Sequence, residues 1–175
     1  SERAALAHVG PVIVTSRATA RTVARLFGVE AARLVVAPPG VARGPQAPLA
    51  GDPPVILCVG SLTPRKAQDI LIEALALLPG RRWRAALIGP EPDAAFAARL
   101  RALAEARGVA DRVAFRGARP RGEVEAAMAA ADMVCSPSVY EGYGMACSEA
   151  MARGVPVVSA RHDAVKWRAE GCQPG

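Results

Sequence analysis

The stretch "VILCVGSLTPRKAQDILIEALALLPG", residues 55–80, decides the fold. Its first five residues are β-branched or aliphatic and end on Gly60, which reads as a short buried strand. A polar loop follows. From Lys66 the apolar residues recur at helical spacing until Pro79 and Gly80 stop them. The unit is therefore strand, glycine loop, helix.

The same unit recurs downstream. "WRAALIG" (83–89), "RVAFRG" (112–117) and "DMVCSPS" (132–138) read as strands. The helices between them are "DAAFAARLRALAEARG" (93–108) and "GEVEAAMAAAD" (122–132), and another runs from about Gly144 to Arg153. "VPVVSA" (155–160) is the last strand. Strands alternating with helices imply an α/β fold, a doubly wound parallel sheet of the Rossmann-like kind. Ligands of such sheets sit at the carboxyl ends of the strands. That directs attention to Gly60 to Lys66, Gly89 to Asp93, Arg116 to Arg119 and Ser136 to Gly144.

Upstream, "PVIVTS" (11–16) is a strand, and Ser16 is placed to cap the helix "RATARTVARLFG", which Gly28 ends. "RLVVAPPG" (33–40) is another short strand. It runs into "PPGVARGPQAPLAGDPP" (38–54), the best domain boundary in the chain. The chain lacks an initiator methionine and begins as if cut from something longer.

Composition narrows the function. Of 175 residues, 51% are hydrophobic and 22% charged, enough for a sizeable core, while aromatics are only 4%. Alanine, valine and leucine must therefore build that core. The net charge of +6 comes from scattered arginines without a long basic run, which gives nucleic acid little support as a partner. The four cysteines, Cys58, Cys135, Cys147 and Cys172, form no CxxC pair, so neither zinc nor a disulfide framework is expected, and a reducing cytoplasm fits. No run is long enough to span a membrane and no signal peptide is visible. His8 and His162 lie near opposite chain ends and read as surface residues.

Two stretches could carry chemistry. In "GSLTPRKAQD" (60–69), Arg65 and Lys66 stand at a helix start, where free N–H groups and the dipole favour an anion such as phosphate. Lys66 is one of only two lysines in a chain that otherwise uses arginine, which hints that a compact charge is wanted there. A helix start with solvated cations would give the same pattern, and the Walker A spacing is absent. In "YEGYGMACSEAMARG" (140–154), Gly142 and Gly144 let backbone N–H groups approach a ligand. Glu141 precedes the helix and Glu149 lies on its second turn. Both could accept hydrogen bonds from sugar hydroxyls, or one could face the dipole and the other water. The glycines also span G-x-G-x-x-C, with Asp163 about 20 residues on. The loop between strand and glycines spoils the tight turn that a dinucleotide fingerprint needs. No D-x-D metal pair occurs, and Ser136 and Ser138 lack the elbow of a serine hydrolase.

Together "CVGSLTPRKAQD", "LIG", "DRVAFRG" and "AADMVCSPSVYEGYGMACSEAMARGVPVVSA" resemble, in that order, the retaining glycosyltransferases of family 4, also called group 1. Glu141 and Glu149 reproduce that family's E-x7-E pattern. The resemblance implies a GT-B fold and the following division. Residues 1–42 are the end of the N-terminal domain plus linker, 43–160 the donor-binding domain, and 161–175 an atypical tail. It implies that Lys66 binds the diphosphate of a UDP- or GDP-sugar, without cofactor or metal, and that Glu141 holds hydroxyls of the sugar. Backbone N–H groups near Gly144 and Met145 would meet sugar and phosphate, and Glu149 the ribose. The strand ends at Gly89 and Arg116 would line the base pocket. Three positions depart from the family. Ser61 replaces a frequent arginine that binds the diphosphate, with Arg65 as the available substitute; Ala67 replaces a glycine; Ala146 replaces a proline. The acceptor is undefined, and membrane association would come through the N-terminal domain. This chain alone is expected not to transfer. A non-catalytic nucleotide-binding module and a GT-B epimerase or phosphorylase are the other readings.

Overall fold

The computed structural model describes residues 2–160. The tail expectations, with His162, Asp163, Lys166 and Cys172, lie outside the described residues. Two compact units emerge. One holds the chain up to Gly40 together with Glu141–Gly144; the other holds Val41–Tyr140 and Met145–Ala160.

In the first unit a short helix, α1 (Glu2–His8), precedes β1 (Val12–Val14), α2 (Arg17–Phe27) and β2 (Leu34–Val36). No pattern in residues 2–8 singles out α1. The parallel strands pair Val12 with Leu34 and Val14 with Val36. Ser16 caps α2 as expected, its hydroxyl accepting from the Thr19 N–H at 3.0 Å. Gly28 ends that helix in the left-handed conformation, φ +71°, where a side chain would be strained.

The second unit contains β3 (Val55–Val59), α3 (Gln68–Ala76), β4 (Arg84–Ile88) and α4 (Ala94–Ala106). It continues through β5 (Val113–Phe115), α5 (Arg121–Ala129), β6 (Met133–Ser136), α6 (Met145–Met151) and β7 (Val157–Ser159). Its five strands are all parallel, in the order β5-β4-β3-β6-β7. The chain thus builds outward from β3 in one direction, then returns past it to build in the other. Helices cover both faces, as the alternating pattern requires. On one face Cys58 and Leu87 pack with Leu71, Ile72, Leu75 and Leu100 of α3 and α4. On the other, Leu57, Ile88 and Val134 pack with Met128 of α5 and Ala150 of α6. Consecutive residues of one strand serve opposite cores because side chains alternate along a strand.

Asp132 ties the linker to this sheet. Its carboxylate accepts from the Gly51 N–H at 2.9 Å and from the Val55 N–H at 2.8 Å. Asp93 caps α4 through the Phe96 N–H at 2.9 Å. Among the described residues no helix is long and apolar enough to cross a membrane.

Candidate functional site

The strand order reverses between β3 and β6, and the carboxyl ends of the strands at such a reversal are where ligands of these sheets bind. Backbone bonds stitch the strand ends on this side. Gly60 N–H donates to the Ile88 carbonyl, Leu62 N–H to that of Pro90, and Gly89 N–H to that of Gly117, each at 2.9 Å. Across the reversal, Val139 N–H donates to the Arg65 carbonyl at 3.0 Å, and the Arg65 guanidinium donates to the Tyr140 carbonyl at 2.9 Å. Arg65 therefore fastens the loop after β3 to the loop after β6.

Lys66 lies over Gly60. A Cβ built on Gly60 would stand 3.3 Å from the Lys66 Cε and 3.7 Å from its Nζ. The bare glycine at the strand end is what lets the lysine stem lie flat there. The expected helix start at Lys66 is shifted. Pro64–Lys66 form a single 3-10 turn, Ala67 takes a left-handed φ of +52°, and α3 begins at Gln68. Ala67 stands where the resembling family has glycine, and its dihedral supplies the reason for that glycine. The lysine thus belongs to the loop rather than to the helix.

Sequence reasoning missed Gln68. It is fully buried, and its Nε2 donates to the Ser61 carbonyl at 3.0 Å, fixing the loop after β3. Its Oε1 is buried without a partner among the described residues. Gly89 is in closer contact still: a Cβ there would stand 2.1 Å from the Gly60 oxygen and 2.9 Å from the Ser61 nitrogen. Arg116 continues β5, its N–H donating to the Leu87 carbonyl at 2.9 Å, and its side chain is exposed. Beside them Glu91 forms a two-pronged pair with Arg101, at 2.7 and 3.0 Å, which holds the Glu91 carboxyl below the usual carboxylate range.

On α6, Met145 is exposed and Glu149 half-buried. The Glu149 carboxylate has no hydrogen-bond or ion-pair partner among the described residues, while its backbone carbonyl accepts from Arg153 at 3.1 Å. Glu141 and Gly144 belong to the first unit. Glu141 is only 8% exposed. The Gly142 carbonyl beside it accepts from the hydroxyls of Ser16, at 2.6 Å, and Thr19, at 3.0 Å. The Tyr143 hydroxyl donates to the Pro39 carbonyl at 3.3 Å, and Gly144 takes φ +78°. The structure thus collects Ser61, Arg65, Lys66, Gly89, Arg116, Met145 and Glu149 in the second unit and assigns Glu141 and Gly144 to the first.

Cys135 on β6 is a poor nucleophile. Burial first, and then the neighbouring Cys147, push its thiol up to about 11 from an ordinary 9.0. At pH 8 that leaves roughly a hundredfold less thiolate than an unshifted cysteine. In a Cys172→Ser background, iodoacetamide at pH 8 is expected to label Cys135 at least tenfold more slowly than free cysteine. Rapid labelling, read by mass spectrometry, would contradict the half-buried placement.

Residues 44–166 match the family described as Glycosyl transferases group 1. The chain belongs to that family. It is 31% identical over 181 residues to the D-inositol 3-phosphate glycosyltransferase of Nocardia farcinica, covering 91% of this chain and 39% of that protein. The enzyme of the same description from Mycolicibacterium smegmatis is 34% identical over 163 residues, with 85% and 37% covered. Among solved structures, Anabaena HepE, determined with UDP and glucose, superimposes with a TM-score of 0.81 at 27% identity, covering 93% of this chain and 47% of that one. Sucrose-phosphate synthase from Thermosynechococcus elongatus gives 0.81 at 27% identity, with 95% and 44% covered. The structural neighbours are GT-B glycosyltransferases, and the chain spans less than half the length of the relatives it matches.

Proposed function

We propose that this chain forms the donor-binding domain of a retaining, family 4-type glycosyltransferase that uses a nucleoside diphosphate sugar. The observation that carries the reading is Lys66 lying over Gly60 at the sheet's point of reversal. It is joined in the same unit by Glu149, a half-buried carboxylate without a partner among the described residues. An ammonium at that strand end suits the diphosphate, and the carboxylate suits the ribose hydroxyls. Arg65 and Ser61 frame the phosphate position, Gly89 and Arg116 the base. The family resemblance assigns Glu141 to the sugar hydroxyls and backbone N–H groups near Gly144 and Met145 to sugar and phosphate. As the sugar leaves, charge grows on the β-phosphate, and Lys66 stabilises it from a fixed position, which is where such a group accelerates the reaction. Localisation in the cytoplasm, a metal-free mechanism and retention of configuration are part of the same reading; the first rests on the cysteine usage and the other two on the family resemblance. Transfer, as distinct from donor binding, is assigned to the polypeptide that carries this domain, with an acceptor still to be identified.

HepE was solved with UDP, so UDP is the first nucleotide to test. Calorimetric titration with UDP, GDP and ADP, with and without Mg²⁺, is expected to give saturable binding of one nucleotide in preference to the others. Glu149→Ala is expected to weaken the preferred nucleotide about tenfold and its 2′,3′-dideoxy analogue little, since the analogue lacks the hydroxyls. A chain shown to be folded by circular dichroism that binds none of the three refutes the reading, and strict dependence on Mg²⁺ refutes its metal-free part.

A further inference from the structure

Gln68 is the first residue of α3 and the last tie of the loop that carries Lys66. That loop leaves β3 at Gly60 and is pinned along its length. Its beginning is held by the Gly60 N–H on the Ile88 carbonyl and the Leu62 N–H on the Pro90 carbonyl, each at 2.9 Å. Further on, the Arg65 carbonyl accepts from the Val139 N–H at 3.0 Å. Its end is held by Gln68, whose Nε2–H donates to the Ser61 carbonyl at 3.0 Å, seven residues upstream. That bond closes the loop into a ring, and Lys66 stands within it.

Two costs gather at the closure. Ala67, between Lys66 and Gln68, is buried and takes φ +52°, a left-handed conformation that strains an alanine. Gln68 is 0% exposed, and its Oε1 has no partner among the described residues. A buried acceptor left unmet costs stability, and methionine would fill a similar volume without one. An amide carried at that cost directs attention to the one bond it makes. We propose that Gln68 is a positioning residue for the phosphate site: by tying the end of the loop to Ser61, it holds the Lys66 stem over Gly60. It touches no ligand itself and acts through Lys66. The inference rests on the donor reading, which supplies the phosphate that Lys66 meets, and adds to it the device that fixes the ammonium.

The probes are UDP and uridine, titrated calorimetrically into the full chain, with the guanine or adenine pair in their place where the parent prefers it. Gln68→Met is expected to melt within about 4 °C of the parent, because it removes the unmet acceptor along with the bond to Ser61. It is expected to bind UDP about five- to tenfold more weakly and uridine within about twofold, the loss that one neutral hydrogen bond carries. In a Lys66→Ala background the same substitution should weaken UDP less than about twofold, since a residue that acts through Lys66 then has nothing left to position. Losses that multiply in the double variant overturn the inference, as does equal weakening of UDP and uridine. Gln68→Leu repeats the test where methionine unfolds the chain. Failure of both variants to fold makes Gln68 a core residue and also overturns the inference. Each of these outcomes leaves the donor reading standing, provided that the parent binds UDP and loses it in Lys66→Ala. A folded parent that binds no nucleotide refutes that reading and this inference with it.

Discussion

Gly89→Ala is expected to lower the stability of the chain by about 3 kcal/mol or more, because the new methyl has nowhere to go. Its nearest atoms would be the Gly60 oxygen at 2.1 Å, the Gly60 carbon at 2.4 Å and the Ser61 nitrogen at 2.9 Å. All three are backbone, so no side-chain rotation relieves the clash. The two strand ends are also tied. Gly60 N–H donates to the Ile88 carbonyl and Leu62 N–H to the Pro90 carbonyl. Separating the strands enough to admit a methyl breaks or bends these bonds and tilts the loop that carries Lys66. For a chain of this length each kcal/mol is about 2–4 °C of melting temperature, so a fall of roughly 6–12 °C is expected. Nucleotide affinity should fall with it in the protein that remains folded. Gly122→Ala is the control of opposite sign. It lies within α5, a Cβ there meets nothing within 4 Å, and alanine is the better helix former by about 1 kcal/mol. A Gly89→Ala protein that melts within a degree or two of the parent would show that the strand ends do not approach as described.

The contrast between these glycines marks what the sequence could and could not convey. Strand and helix identity is local, and it was legible throughout the second unit. Runs such as "VILCV" and the helical spacing after Asp93 each encode one element, and the alternation encodes a parallel sheet. Gly60 and Lys66 could be singled out because a glycine ending a strand and a lysine in a chain that otherwise writes arginine are visible in one dimension. Gln68 could not, since its role is a bond to Ser61 across a turn whose shape depends on a left-handed Ala67. Alanine carries no signal for that conformation; only the family's usual glycine does. The helix start was misplaced by two residues for the same reason. The close approach at Gly89 depends on the register between β3 and β4, in which Val59 stands opposite Ile88. The hydroxyls that Ser16 and Thr19 turn on Gly142 come from more than a hundred residues away, and Ser16 was legible only as a helix cap.

Lys66→Ala is expected to weaken binding of the preferred nucleoside diphosphate by about 10- to 100-fold, in line with loss of a charge-assisted hydrogen bond of roughly 1.5–3 kcal/mol. Its affinity for the uncharged nucleoside should stay within about twofold, since the lysine is proposed to meet phosphate and not base or ribose. That split separates a phosphate ligand from a residue that merely shapes the loop, because deforming the loop would weaken both ligands. Arginine is expected not to rescue. The Lys66 stem passes Gly60 closely enough that a Cβ on the glycine would contact Cδ, Cε and Nζ, all within 3.7 Å. A planar guanidinium on a differently shaped stem cannot place a compact charge at the same point. Gly60→Ala is a different perturbation: Gly60 takes φ +157°, where a side chain strains the backbone, and its methyl would also press on the flexible end of Lys66, 3.3 Å from Cε. It is therefore expected to deform the loop and weaken both ligands, unlike Lys66→Ala. Equal weakening of both ligands by Lys66→Ala would remove the lysine from the phosphate site and leave Arg65 as the nearest cation to examine.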